Sequence, residues 1–261
     1  MPMKRITPGL LAVFAMLAAA CGGEAADTTT SSAESSTTTV APSTSTTQAA
    51  TTTTAGPATT TTAGPTTTNL AGEPIDFGPA EGDVVAVIGV RHDDVLNLRD
   101  APGADQPISE EIPPTFNDLV ARGNTRNLPS AFWIEVDYKG TVGWVHMGFI
   151  AFEGAVTDET ASVVDELGER PVEATMADLG QAVAEVFASD EEPESDIVQV
   201  TPGTSGDLPE ITYDVIGLGD DAVRGLRIHV FAEKVSGGFS LRTVEVTALC
   251  GRGVTEDGAC V

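Results

Sequence analysis

Between about residues 80 and 153 apolar residues recur in short runs with a period near two. Val84, Val85, Val87 and Ile88 predict one strand, and Val95-Leu96-Asn97-Leu98-Arg99 a second. Ile108 to Ile112 predicts a third, ended by Pro113-Pro114. Leu119-Val120-Ala121 is a fourth, followed by what reads as a polar loop from Gly123 to Ser130. Phe132-Trp133-Ile134-Glu135-Val136 then alternates, Lys139-Gly140 supplies a hairpin turn, and Gly143-Trp144-Val145 returns. Many short strands joined by Gly and Pro turns predict a small all-β barrel.

Beyond residue 155 the period changes. Val163, Val164 and Leu167 lie on one side of a helix that begins near Asp158-Glu159 and stops at Gly168 and Pro171. Thr175 reads as a helix cap with Asp178 three residues on, and Met176, Leu179, Val183, Val186 and Phe187 form one apolar face. Strand patterns follow at Ile197 to Val200, at Ile211, Tyr213 and Val215, and at Leu226, Ile228, Val230 and Ala232. Ser236-Gly237-Gly238 turns the chain, and Val244, Val246 and Ala248 come back. Two helices followed by an antiparallel sheet predict an α+β domain with its helices on one sheet face.

The N-terminal third has neither period. Lys4 and Arg5 precede an apolar run from Leu10 to Ala20, and Cys21 follows. Positive charges, a short apolar run and small residues before a cut site have the form of a bacterial export signal. Eleven helical residues span about 16 Å, roughly half the hydrocarbon core, too short for a permanent span. Leu17-Ala18-Ala19-Ala20-Cys21 resembles the bacterial lipobox. That resemblance implies cleavage before Cys21 and attachment of diacylglycerol to its thiol; alanine at Ala18, where leucine is commoner, departs mildly from it. The competing reading is a plain secretory cut.

From Asp27 to Leu70 the chain holds 20 threonines, 6 serines and no aromatic residue, and TTTTAGP occurs twice, at 51–57 and 59–65. Such a tract cannot bury enough apolar surface to offset its conformational entropy, so a disordered tether is expected. Its root-mean-square span would be on the order of 35–40 Å, its taut length roughly 150 Å. It is also a candidate for O-glycosylation. The organisation expected is therefore signal 1–20, tether 21–70, barrel 71–153 and α+β domain 154–261.

Charge narrows the partners. The chain carries 13 basic and 39 acidic side chains, net −26. Loss of Lys4 and Arg5 with the signal leaves 11 against 39, or −28. Such a surface repels phosphate backbones and anionic headgroups, which argues against nucleic acid and against a basic membrane patch. Three cysteines are too few for a disulfide scaffold.

Three pieces of the first unit belong together. They are Leu96-Asn97-Leu98-Arg99-x-x-x-Gly103, Trp133-x-Glu135-Val136 and Gly140-x-x-Gly143-Trp144-Val145. In combination they resemble the bacterial SH3 (SH3b) domain, over about 70 of 261 residues. The loop between Ala121 and Trp133 is longer than that family's pattern leads one to expect. The resemblance implies an SH3-like barrel that binds peptides or cell-wall fragments without catalysis. Physically, Leu96 and Leu98 would share one face, leaving Asn97 for turn backbone and Arg99 for a carboxylate. Gly143 would let the backbone bend before Trp144.

Trp133 and Trp144, the two tryptophans of the chain, are the candidate ligand-binding residues. Core and hairpin packing competes with a stacking platform for a sugar ring or peptide. His92 and His146 stand apart from each other and from any cysteine, which argues against a metal site. The acidic run from Ser189 to Asp196 has no Asp-x-Asp-x-Asp-Gly loop and reads as solvated, with calcium binding as its rival. Gly217-x-Gly219-x-x-Ala222 matches a dinucleotide fingerprint but precedes a strand pattern, and Asp220-Asp221 would repel phosphates. Cys250 and Cys260 flank a glycine-rich loop and are expected to form a disulfide; a thiol nucleophile or metal pair with His229 is the rival. No G-x-S-x-G, H-E-x-x-H or P-loop occurs, so neither catalytic residues nor a cofactor are expected.

These readings predict a non-catalytic protein anchored in the bilayer through Cys21 on the extracellular or periplasmic side. Its barrel would face peptidoglycan or an envelope protein. The alternative is an envelope sensor or scaffold in which residues 154–261 bind a protein and the barrel is a spacer.

Overall fold

The computed structural model describes residues 70–189 and 194–261. The expected export signal at 1–20, Cys21, nearly all of the expected tether and positions 190–193 of the acidic run lie outside the described residues.

The first eight strands are β1 (Glu73–Pro74), β2 (Val84–Val87), β3 (Leu96–Arg99), β4 (Ile108–Ile112), β5 (Leu119–Leu128), β6 (Ala131–Tyr138), β7 (Thr141–His146) and β8 (Ile150–Asp158). A single 3-10 turn, Met147–Phe149, leads into β8. Then come α1 (Thr160–Leu167), β9 (Val172–Glu173), α2 (Met176–Phe187), β10 (Asp196–Gln199), β11 (Glu210–Ile216), β12 (Val223–Val235) and β13 (Gly238–Cys250). Among the described residues no helix is long and apolar enough to cross a membrane.

Local chemistry explains several boundaries. Lys139 and Gly140 both have positive φ, 51° and 91°, which matches strand twist in a two-residue hairpin between β6 and β7. The Thr175 hydroxyl accepts the Asp178 N–H at the start of α2, at 3.1 Å. Gly168 ends α1 with φ 76°.

The strands join one antiparallel sheet of thirteen in the order β10-β11-β12-β13-β8-β2-β5-β6-β7-β3-β4, with β1 on β5 and β9 on β13. This corrects the expected architecture. An SH3-like barrel followed by an α+β domain with its helices ahead of the sheet is not what forms. The strand β8 crosses the expected boundary: Ile150 and Ala151 pair with Val87 and Ala86 of β2, while Phe152 to Asp158 pair with β13. One strand thus precedes α1, another sits between the helices, and a single ladder runs through both halves. The sequence reading places no strand at 150–158. Strand period is a local signal, whereas the partner of a strand is not, so nothing nearby in the chain marks a strand shared at both ends.

A second correction concerns Gly123 to Ser130. The polar segment is mostly strand: after a bulge between Ala121 and Thr125, with Gly123 at φ 72°, β5 resumes and pairs with β6 and β1. Thr125 Oγ1 donates to the Ile75 carbonyl at 2.6 Å. Polarity there reports exposure, not loss of strand.

Two apolar clusters hold the sheet. The first gathers Val85, Leu98, Ile112, Leu119, Ile134 and Val145 with their neighbours, and Cys250 reaches into it from β13. The second lies between the helices and β11 to β13, where Leu179 and Val183 meet Ile211, Tyr213, Ile228 and Val244. Each such side chain contributes about 1.5–3 kcal/mol on burial. Ile88, Ala151 and Leu249 form a small cluster at the junction.

Candidate functional site

Alternation along three strands builds a cleft on the face of the sheet away from the first core. In β3, Leu96 and Leu98 enter that core, so Asn97 and Arg99 face the other way. In β6, Ile134 and Val136 are core, which turns Trp133 outward; in β7, Val145 is core, which turns Trp144 and His146 outward. Trp133 pairs in register with His146, and Trp144 with both Glu135 and Arg99. The cleft has a volume of about 380 Å³ and is walled by Trp133, His146, Phe149, Asn97 and Arg99, with Gly89 to Arg91 and Asp94-Val95 from the connection after β2. That volume is in the range of small-molecule sites, ~300–1,000 Å³.

The two tryptophans are not equivalent. Trp133 lines the cleft and is 5% exposed; Trp144, 2% exposed, is not among the lining residues. The open aromatic surface belongs instead to Phe149, at 40% exposure. His146 lies between them, 5.7 Å from Trp133 and 5.3 Å from Phe149 by ring centroids.

His146 is fixed by the turn that follows it. Its Nδ1 accepts the Gly148 N–H at 2.9 Å. Burial, and next the charge of Arg224, push the imidazole below its ordinary pKa. The ring is therefore neutral at neutral pH, with its proton on Nε2 as a donor. Arg224 Nη1 donates to the carbonyls of Met147 at 2.6 Å and Ile150 at 2.7 Å, tying β12 to the same turn.

Two sequence readings change here. Arg99 does not meet a carboxylate: its Nη1 donates to the Gln106 carbonyl at 2.6 Å and braces the turn between β3 and β4. Gly143 does not bend the chain. It sits in regular strand, and a Cβ there would stand 2.7 Å from Leu98 Cγ and 2.8 Å from the Arg99 carbonyl. Glycine is required for close approach of β3 to β7.

The other candidates are placed as follows. Cys250 and Cys260 form a disulfide, with Cα atoms 5.1 Å apart, so neither is a free thiol. His92 donates its backbone N–H to Gln199. Asp220 Oδ1 accepts the Ala222 and Val223 N–H groups, making Gly217 to Ala222 a turn into β12 instead of a helix start. Among the described residues no group of three His, Cys, Asp or Glu is placed to hold a metal ion. Phe149 and Arg91 escaped the sequence reading, since a lone phenylalanine after Met147-Gly148 and an arginine beside His92 carry no pattern of their own. A second cleft of about 430 Å³ lies beside Arg227, Glu153 and Thr212.

No protein-family model, curated protein or solved structure matches this chain.

Proposed function

We propose that this chain is a non-catalytic binding protein, anchored through Cys21 on the outer side of a bacterial membrane, that presents the Trp133–His146–Phe149 cleft to the cell wall. The observation that carries the reading is the cleft. It combines an exposed aromatic ring with a fixed imidazole donor, an amide and two arginines. A few oriented polar groups around an apolar surface suit a molecule with hydroxyls and an apolar face. The export signal, the lipobox-like Leu17 to Cys21 and the Thr/Ser tract support the location, because together they are the parts of a tethered display protein.

The test is co-sedimentation of the mature chain with purified cell-wall sacculi at physiological salt. Retention in the pellet, lost on Phe149→Ala and weakened on Trp133→Phe with unchanged thermal stability, is the expected result. Full retention by both variants would remove the cleft from the reading, and absence from the pellet would remove the wall. Location is checked separately: Cys21→Ala should move the protein from the membrane fraction to the medium or periplasm.

A further inference from the structure

The charge around the cleft runs against the charge of the chain. The protein has three acidic side chains for each basic one. The charged residues lining the cleft are Arg91, Arg99 and Asp94, two cations to one carboxylate. Arg91 is occupied by Asp93, at 3.0 and 3.2 Å. Asp94 Oδ1 accepts the Val95 N–H at 2.8 Å. Arg99 differs from both. It is half-buried and spends one nitrogen on the Gln106 carbonyl, and among the described residues no carboxylate lies within ion-pair distance of it. Arg224 adds a second positive charge behind the turn, held by carbonyl oxygens and not by an acid. Its field already reaches the cleft, since it disfavours protonation of His146.

A guanidinium turned into a cleft, in a chain so rich in acids, is a ready counter-ion for an anion from outside. Beside it Phe149 offers an apolar ring face, and His146 Nε2–H and the Asn97 amide offer donors. We infer that the cleft takes a saccharide ring bearing a carboxylate, the acid meeting Arg99 and the apolar face of the ring lying on Phe149. This rests on the cleft being the binding site proposed above, and it adds the ligand's chemical class.

Glucuronate, its methyl ester and glucose are the probes, titrated into the mature chain by calorimetry with tryptophan fluorescence as the second readout. The acid should bind at least tenfold more tightly than the ester or glucose. Arg99→Gln should abolish that preference, Arg99→Lys should keep part of it, and Phe149→Ala should weaken acid and neutral sugars alike. The comparison of acid with ester needs no variant, so a misfolded Arg99→Gln protein would not blunt it. Equal affinity for the three sugars, or binding of none, would overturn the inference. Sacculi whose carboxyls have been methyl-esterified separate it from the wall reading. Undiminished pelleting with esterified sacculi overturns the carboxylate and keeps the wall. Glucuronate binding without pelleting of native sacculi keeps the carboxylate and overturns the wall.

Discussion

Arg227 on β12 and Asp214 on β11 stand opposite each other in register and form a two-pronged ion pair, Nε to Oδ1 at 2.9 Å and Nη2 to Oδ2 at 3.0 Å. Asp214 is 0% exposed. The pair also reaches beyond its own hairpin. Asp214 Oδ2 accepts the Gly89 N–H at 2.8 Å, and Arg227 donates to the Val87 carbonyl at 2.6 Å and to Glu153 at 3.2 Å. Burial works against the guanidinium charge, but the hydrogen bonds and charge of Asp214, with help from Glu153, hold its pKa above the ordinary value. One ion pair therefore fixes where β2 ends and where the cleft wall at Gly89 begins.

Removing one partner should be expensive, because the other charge stays buried. Asp214→Ala is expected to cost about 3–5 kcal/mol in urea unfolding, whereas a well-packed apolar replacement of both residues should recover much of it. A double-variant loss equal to the sum of the two single losses would show that the pair does not act as a unit.

Gly143→Ala is expected to destabilise by about 1–3 kcal/mol, since its methyl group would press on Leu98 and the Arg99 carbonyl. Gly140→Ala tests a different cause: nothing lies within 4 Å of the new Cβ, but φ is 91°. Its cost should be about 1–2 kcal/mol, from left-handed backbone alone. Only the first variant should also perturb the cleft, read as a change in tryptophan fluorescence.

Acid should loosen the turn at His146. The folded protein holds this imidazole below its ordinary value of 6.5, so the unfolded chain takes up the proton more readily. The stability linked to His146 is then complete above about pH 6.5 and is lost as pH falls towards the lower, folded value. Asp158 and Asp220, pushed below their ordinary 3.8, act in a more acidic window. Urea midpoints between pH 5 and 7 should slope upward with pH, and His146→Gln should flatten that slope. An unchanged slope in the variant would assign the effect to another group.

Reduction of Cys250–Cys260 opens a loop of ten residues' separation. Loop-closure entropy makes that worth about 3 kcal/mol. Because Cys250 belongs to the first apolar cluster, the double Cys→Ser variant should lose more than reduction alone, by burying a hydroxyl there. Thermal unfolding with and without reductant measures both.

The fold was legible where its cause was local. The alternation of Leu96 and Leu98 with Asn97 and Arg99, the Lys139-Gly140 turn, the Thr175 cap and the apolar face from Met176 to Phe187 each rest on neighbours within a few positions, and each stands in the structure as read. The disulfide was legible too, because the glycine-rich chain between the two cysteines, ten positions apart, brings them together without help from the rest. Polar character misled at Gly123 to Ser130, where a solvent-facing strand has the composition of a loop.

The sequence by itself determined which faces are apolar, where the turns fall and how strongly acidic the surface is, since these follow from side-chain chemistry and short-range geometry. The tertiary structure alone decided that β8 would serve two neighbours, making one sheet where two domains were expected. It also decided that Trp133 would line a cleft while Trp144 would not, and that Arg99 would face that cleft without an acid. Strand partners and counter-ions come from residues far apart in the chain, and no period or spacing records which distant group will arrive.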